Sequence, residues 1–484
     1  MSESSEMLLD ASEQPDAALP NSGLGRQIIA TTFISLVTLN TGLATGWLSP
    51  MTLKLQSDDS PVGPLTKTQI SYLATLPGYI GIFLSFFFGF VSKKFGRKWA
   101  LVSIGVPSFV SGIIFTFATS VIELFVGRVL AGFTIVGGFN MCAMYVSEIV
   151  HSNIRGTLMT FCTFQVNIGV LLSNIFGNNL SYKAYNTFFI VLPIVYTILI
   201  FFLPESPHFL VDRSRHSEAH KSLLWLRGGN HEMARQELDT IKPRNDNVVH
   251  ITFREAFKTK ATKFALTVSM LAYLLQTLSG IHAVMNYAGL IFEESGSPLS
   301  PENSAILISS LTLASSLISL VLMDKTGRKL LLLLSFFGSS LTLAALSVFL
   351  YLKMVGVDVT SYLWVPIWSL GAYVIMHALG ISPVPGILMN EISSPDVKPA
   401  ISSIVSAAVL VTVIVVLQSF PFLDDNIGLY SAFALPAFFN FVGVFFTIFM
   451  VIETKGKSLI EIIDEINGVT RQPESRLEED EPGR

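Results

Sequence analysis

Ser92-Lys93-Lys94-Phe95-Gly96-Arg97-Lys98 has a counterpart far down the chain, Met323-Asp324-Lys325-Thr326-Gly327-Arg328-Lys329. Each is a cationic Gly-Arg-Lys turn between two long apolar stretches. Two further pairings follow in the same order. Glu148 with Arg155 recurs as Glu391 with Lys398, and Pro204-Glu205-Ser206 recurs as Ile452-Glu453-Thr454. Three features repeating in one order, at nearly one offset, describe two copies of a membrane bundle. Duplicated polytopic chains are typically transporters.

Composition agrees. Of 484 residues, 51% are hydrophobic and 14% charged. The charges collect in the tails, the short loops and 204–263. Between them lie runs of about 20 nearly uncharged residues, each able to cross a bilayer as a helix. Twelve are expected: 27–50, 70–91, 99–120, 122–147, 159–179, 186–203, 264–291, 304–323, 330–352, 361–389, 401–420 and 429–452. Buried helices of a soluble protein would carry a polar stripe, and these do not. The expected organisation is a tail (1–26), a six-helix bundle (27–203), a linker (204–263), a second six-helix bundle (264–452) and a tail (453–484). Within the linker, 217–226 and 231–241 read as helices, forming a helical pad between the bundles.

Cation placement orients the chain. Lys93, Lys94, Arg97 and Lys98 share one loop, Arg155 sits in another, and Lys325, Arg328 and Lys329 in a third. With twelve spans these loops share a side with both termini, and the positive-inside rule makes that side cytoplasmic. Opposing loops carry Asp58, Asp59, Glu293, Glu294, Asp424 and Asp425, diluted by Lys54, Lys67 and Lys183. Residues 1–26 lack the basic start of a signal peptide, so the first apolar run reads as a retained span. Asn179-Leu180-Ser181 is a glycosylation sequon on the outer side. Cys142 and Cys162 read as small buried side chains rather than a disulfide framework.

No metal-ligand cluster, P-loop or dinucleotide fingerprint occurs. No enzyme, ATP-driven pump, metal or cofactor is therefore expected. The net charge of −4 gives no reason to expect a nucleic-acid partner. The expected partners are the lipid bilayer and a small neutral solute, with oligomeric state left open. Two ridges of small residues, Gly81/Ser85/Gly89 and Gly169/Ser173/Gly177, mark close helix contacts, either sliding or static.

Several motifs together resemble the sugar porter family of the major facilitator superfamily. Pro204-Glu-Ser-Pro-His-Phe-Leu210 is similar to the family's PESPxxL, and Glu453-Thr-Lys-Gly-Lys-Ser-Leu459 to its PETKGKxL. Gly127-Arg128, Tyr145 and Glu148 to Arg155-Gly156 resemble its fourth span and following loop. Gln276, Ser279-Gly280-Ile281 and Ala283-Val284 resemble QQxSGINAV. Gly42-Leu-Ala-Thr-Gly-Trp-Leu-Ser-Pro50 and Asn167-Ile-Gly-Val170 are most like the insect trehalose transporter branch. The resemblance implies an all-α fold of twelve transmembrane helices in two pseudo-symmetric six-helix bundles, with a cytosolic helical linker. It also implies alternating access in the plasma membrane.

The departures are specific. Lys93 stands where the family carries an Asp. Thr277 replaces the second Gln of the span-seven motif, and His282 its Asn. Thr312 falls at the span-eight Asn and Thr163 at a span-five Gln. Span ten reads Ser382-Pro383-Val384-Pro385-Gly386 without the family Trp, and Val409-Leu410 stand at an Asn-Trp pair of span eleven.

Candidate gate residues are Arg97, Glu148 and Arg155, with Arg328, Glu391 and Lys398 as repeat equivalents. The resemblance implies that they pair when the protein faces outward. Ion pairs at a membrane edge gain modestly and weaken as water enters. The plainer reading is charge that only orients loops. Candidate solute contacts are Gln276, Thr277, His282, Tyr287, Thr312, Thr163 and Asn167. Gln276 can donate to and accept from hydroxyls; its plainer role is a bond between helices. Gly280 can break span seven, and Pro383 and Pro385 must distort span ten, so these three are candidate hinges. Arg128, inside span four, reads as functional or as reaching the outer interface.

The expected function is downhill uniport of a small neutral sugar, trehalose or a hexose. The alternatives are a proton-coupled symporter of the same fold and a transporter-like sensor that binds without transport. Proton-coupled relatives place an Asp in the first span, where this chain has Ala44. His282 and His377 are the only titratable candidates read near mid-membrane.

Overall fold

The computed structural model describes residues 23–241 and 259–455, apart from 297, 395 and 396, and beyond them 457, 461, 462, 465 and 466. The expected tail 1–26, the linker and the tail from 453 therefore lie partly outside the described residues.

Among the described residues, twelve helices are long and apolar enough to cross a membrane. The first six are Leu24–Gln56, Lys67–Phe95, Arg97–Phe117, Val121–Ile149, Ile154–Asn179 and Tyr182–Phe201. The second six are Lys260–Ala288, Pro301–Met323, Arg328–Met354, Thr360–Ile392, Ala400–Asn426 and Leu429–Met450. Several overshoot the apolar runs, because backbone bonding continues through terminal turns that carry charge. The second span takes in Lys93 and Lys94, and the eleventh Asp424 and Asp425.

Local chemistry fixes the ends. The second span opens on a capping box, with Gln69 N–H donating to Thr66 Oγ1 at 3.3 Å and Thr66 N–H to Gln69 Oε1 at 2.9 Å. Ser120 and Glu123 do the same for the fourth. The seventh breaks into Lys260–Leu278 and Ile281–Ser295 at Gly280, whose φ of 98° lies in the left-handed region. In the tenth span, helix Val365–Met376 passes through a π-turn, His377–Ile381, before Val384–Ile392. Pro383 has no N–H for the Leu379 carbonyl, and Ser319 Oγ donates to that carbonyl instead, at 2.8 Å.

Packing repeats between the halves. The third span runs along the sixth, as the ninth does along the twelfth. The Gly169/Ser173/Gly177 ridge meets the first span. A Cβ on Gly42 would lie 2.8 Å from Gly169 Cα, and one on Gly46 would lie 2.9 Å from Ser173 Cβ. The other ridge is packed only in part. Gly81 faces Val136 and Leu410, whereas nothing lies within 4 Å of a Cβ built on Gly89. Cys142 and Cys162 are buried, free and 3.5 Å apart.

In the linker, helices His216–Leu226 and His231–Ile241 match the expected stretches, and Pro207–Asp212 adds a third. Ser206, capping Phe209 N–H at 3.4 Å ahead of Pro207, was a readable start signal for it. Arg227, 1% exposed, donates to Glu237 Oε1 at 2.5 Å and to the Ile149 carbonyl at 3.1 Å, tying the pad to the fourth span.

Candidate transport site and gates

At the end holding the two Gly-Arg-Lys turns, here termed the basic end, the repeats build one cluster twice. Arg97 Nε lies 2.9 Å from Glu148 Oε2, and Ser206 Oγ donates to the same carboxylate. In the second half Arg328 Nη2 lies 3.0 Å from Glu391 Oε1, and Thr454 Oγ1 donates to Glu391 Oε2 at 2.5 Å. Below each pair a second carboxylate caps the turn. Glu205 Oε1 accepts from the N–H groups of Arg97 at 3.0 Å, Lys98 at 3.1 Å and Ser206 at 2.8 Å. Glu453 accepts from Arg328 at 3.0 Å, Lys329 at 3.1 Å, and Thr454 and Lys455 at 3.0 Å. These are helix N-termini holding an anion, with the dipole and free N–H groups directed at it.

The turn glycines are required by this approach. A Cβ on Gly327 would lie 2.6 Å from Glu453 Oε2, and one on Gly96 would overlap Glu205. The two caps differ electrostatically. Burial pushes the Glu205 carboxyl up from its ordinary value despite its three backbone donors. For Glu453, burial also acts upward, but its four backbone donors outweigh it and hold the group low.

Among the described residues, Arg155 and Lys398 do not join these pairs. Arg155 donates from Nη2 to the Val150 carbonyl at 3.4 Å, and Arg328 rather than Lys398 meets Glu391. The reason is position. Arg97 and Arg328 start helices aimed at the carboxylates, whereas Arg155 is exposed on its own helix. Glu205, Glu453, Ser206 and Thr454 were visible only as a repeat. Their polar atoms recurring beside a Gly-Arg-Lys turn were the signal for their role.

Side-chain bonds between the halves gather at the opposite end. Lys67 Nζ lies 3.0 Å from both Glu294 Oε1 and Asp424 Oδ2, and 3.7 Å from Asp425 Oδ1. Asn174 Nδ2 donates to Ser309 Oγ at 2.6 Å, and Asn178 Nδ2 to the Glu302 carbonyl at 3.1 Å. Toward the basic end Ser85, Gly89, Thr163, Ser403 and Ser406 are exposed, so the halves part there. The Arg97–Glu148 and Arg328–Glu391 pairs are formed in this arrangement.

The expected solute contacts are dispersed. Gln276 Nε2 donates to the Ser382 carbonyl at 2.8 Å, the interhelical role weighed against solute binding. Thr277, Thr312 and Thr163 donate within their own helices, to Tyr273 at 2.9 Å, Ile308 at 2.8 Å and Met159 at 3.3 Å. Tyr287 stacks on Phe420 at 4.9 Å and donates to the Leu417 carbonyl at 3.3 Å, in the closed end beside Lys67. Asn167 and His282 are half-buried. Gly280 leaves the Ser279 carbonyl to Tyr373 at 2.9 Å and Asn440 at 3.2 Å, two residues that sequence reading missed.

Arg128 is 2% exposed. Its Nε donates to the Leu73 carbonyl and its Nη1 to the Ala44 carbonyl, each at 2.9 Å, and its guanidinium sits 5.5 Å from the Trp47 ring centre. It therefore does not reach toward the outer interface, and among the described residues no ion pair joins it to a carboxylate.

The profile of the family described as "Sugar (and other) transporter" matches residues 29–465. The chain belongs to this family. Among its relatives, "Facilitated trehalose transporter Tret1" of Bombyx mori is 30% identical, over 93% of this chain and 90% of that protein. The Drosophila mojavensis protein of the same name is 30% identical over 93% of this chain, which spans only 52% of that longer relative. The xylose transporter XylE from E. coli, in a partially occluded inward open conformation, superposes with a TM-score of 0.71 at 21% identity. That match covers 90% of this chain and 99% of XylE. This transporter family member is thus an integral, multi-pass membrane protein and not an enzyme.

Proposed function

We propose that the protein is a facilitative carrier of a small neutral sugar, trehalose or a hexose, working by alternating access. Both termini lie in the cytoplasm, the basic end faces it, and the membrane is the plasma membrane. The family and the trehalose-transporter relatives support the solute class. The cation-rich loops support the orientation.

The observation carrying the uniport reading is the setting of Arg128. A coupling proton needs a buried carboxylate in the pathway, whose pKa desolvation can raise. The first-span position read as the coupling Asp is Ala44, and its backbone carbonyl accepts from Arg128. The stretches 27–50, 159–179, 264–291, 304–323 and 401–420 contain no Asp or Glu. The Arg97–Glu148 and Arg328–Glu391 pairs act as gate elements, and Gly280, Pro383 and Pro385 as hinges. Gln276, Thr277, His282, Thr312, Thr163 and Asn167 offer polar atoms to the solute, with Tyr287 contributing as the path closes beyond it.

A second reading, a sensor that binds without transport, draws on the Gln276 amide engaged by Ser382 and on Gly386 at the family Trp position. Radiolabelled trehalose and glucose uptake in a cell lacking its own porters, alongside a thermal-shift screen of sugars, separates the two. Saturable uptake supports the carrier; stabilisation by a sugar without uptake supports the sensor.

A further inference from the structure

Beside the first-half gate lies a cavity of about 610 Å³, lined by the second, third and fourth spans and by the linker at helix Pro207–Asp212. Its charged lining is Lys93, Arg97, Arg213 and Asp212, three cations with one carboxylate. Glu148 compensates Arg97 at 2.9 Å. Lys93 has no such partner. It is exposed, and among the described residues its ammonium makes no ion pair or hydrogen bond. Arg213 lies across the end of the second span, where its Nη2 donates to the Lys93 carbonyl at 2.7 Å and the Lys94 carbonyl at 3.4 Å.

These contacts fix the cations and still leave donors over. The buried Phe209 ring positions both guanidinium groups, Arg97 at 5.4 Å and Arg213 at 5.7 Å from its centre. Arg97 spends Nε on Glu148 and Nη1 on the Ser92 carbonyl. Its Nη2, and Nε and Nη1 of Arg213, have no acceptor among the described residues. The gate itself does not call for a cation at position 93. The second repeat builds the same Arg–Glu pair and the same carboxylate cap with Asp324 at that position. Met141 and Met144 give the cavity an apolar wall, and nothing lies within 4 Å of a Cβ built on Gly89, so the space beside Lys93 stays open.

We propose that this cavity binds a phosphate-bearing anion, either a phospholipid headgroup from the leaflet at the basic end or a soluble phosphate monoester. With Arg97 compensated by Glu148, Lys93 and Arg213 face Asp212 alone, and the excess positive charge is what an anion neutralises. A phosphate presents several acceptor oxygens, which suit the planar fork of Arg213 and the ammonium of Lys93 together. The methionine wall suits the glycerol or acyl part that such a group carries. Bound there, the anion joins the linker to the end of the second span, next to the Arg97–Glu148 pair. The inference does not depend on which sugar is carried, so its test uses no sugar.

The test has two arms, both on the full-length protein. In the first, protein in nanodiscs of phosphatidylcholine is titrated with glycerol 3-phosphate by calorimetry. In the second, protein in detergent is titrated with phosphatidic acid, and the bound copies are counted by native mass spectrometry. Saturable binding in the first arm assigns the soluble source; binding in the second alone assigns the headgroup. In whichever arm binds, Lys93→Gln and Arg213→Gln should each weaken the affinity by about 5- to 10-fold, between the loss of an exposed ion pair and that of a shielded charged hydrogen bond. Lys93→Arg should bind like the parent. Lys183→Gln removes the same charge from an exposed site at the opposite end and should leave binding unchanged. The exposed Lys93 side chain carries no bond, so its variants should keep the parent's unfolding midpoint. No binding in either arm would overturn the inference, and so would equal effects of Lys93→Gln and Lys183→Gln.

Discussion

Arg128 donates to the Ala44 carbonyl at 2.9 Å, placing a buried guanidinium against the backbone of the first span. A backbone carbonyl carries only partial charge and does not titrate in the working range. Arg128 thus stays cationic against oxygens that cannot take up or release a proton. Trp47 adds a ring face at 5.5 Å, so the cation is held by dipoles and a quadrupole. Arg128→Gln is expected to lower the unfolding midpoint, because the Leu73 and Ala44 carbonyls lose a charged donor worth about 1.5–3 kcal/mol. Thermal unfolding in detergent reads this directly.

The two halves should respond unequally to acid. Glu453 is held below its ordinary pKa, so its stabilisation is present above the unfolded value and is lost as pH falls through the folded one. Glu205 is raised, so its contribution has the opposite sign and weakens as pH rises through its folded value. Glu453→Gln should therefore lower the midpoint at pH 7, and the deficit should shrink toward pH 4. Glu205→Gln should show a smaller deficit at pH 7 with the opposite trend. Parallel curves for the two variants would contradict the electrostatic difference.

For the gate, Glu148→Gln and Glu391→Gln each remove one ion pair whose side chains are mostly buried, 12% and 15% exposed in the first and 16% and 27% in the second. Removing one partner of a pair shielded from water costs more than the loss of an exposed pair, about 1 kcal/mol, so each variant should change the sugar uptake rate by more than roughly 5-fold. The double variant should exceed either single one, because the clusters sit in separate halves. Uptake corrected for surface expression tests this.

Gln276→Ala should lower uptake more than Gln165→Ala. Gln276 bridges the seventh span to the break in the tenth at 2.8 Å, whereas Gln165 reaches Ser35 Oγ at only 3.4 Å. One hydrogen bond is worth about 0.5–1.5 kcal/mol, or roughly 2- to 12-fold. Equal losses at matched expression would remove Gln276 from the transport path.

Gly280→Ala should be more damaging than its size suggests. The residue holds φ 98°, and a Cβ there would lie 2.9 Å from Pro436 Cβ. Left-handed backbone costs a non-glycine residue about 1–2 kcal/mol. A lower midpoint and lower uptake together are expected, with Gly386→Ala as a mild comparison, since its Cβ would meet only Tyr273 Oη, at 3.1 Å.

How much of this was readable in the sequence follows from what each feature depends on. The twelve spans were legible because burial in lipid demands long charge-free runs, and the repeat was legible because its charged turns recur. The span ends were less so, since hydropathy stops at Lys93 or Asp424 while the helix does not. Arg97 and Glu148 were found as partners by their repeat. Arg155 was grouped with them by spacing, but spacing along a chain does not say which way a side chain points. The partners of Arg128 and Gln276 were illegible, because the carbonyls of Ala44 and Ser382 have no side-chain signature. The clamp on Lys67 was missed for another reason: Glu294 and Asp424 belong to the other half, and only the docking of the halves brings them to it.

The most direct test of the account is sugar flux with simultaneous proton readout. The purified protein is reconstituted in liposomes containing a pH-sensitive dye, and labelled trehalose or glucose is added with and without an inward proton gradient. The account predicts uptake to the same plateau, equal to the outside concentration, in both cases, with no acidification beyond the sugar-free control. Sugar-dependent acidification, together with accumulation above the outside concentration, would contradict it and direct the search for a proton carrier to His282.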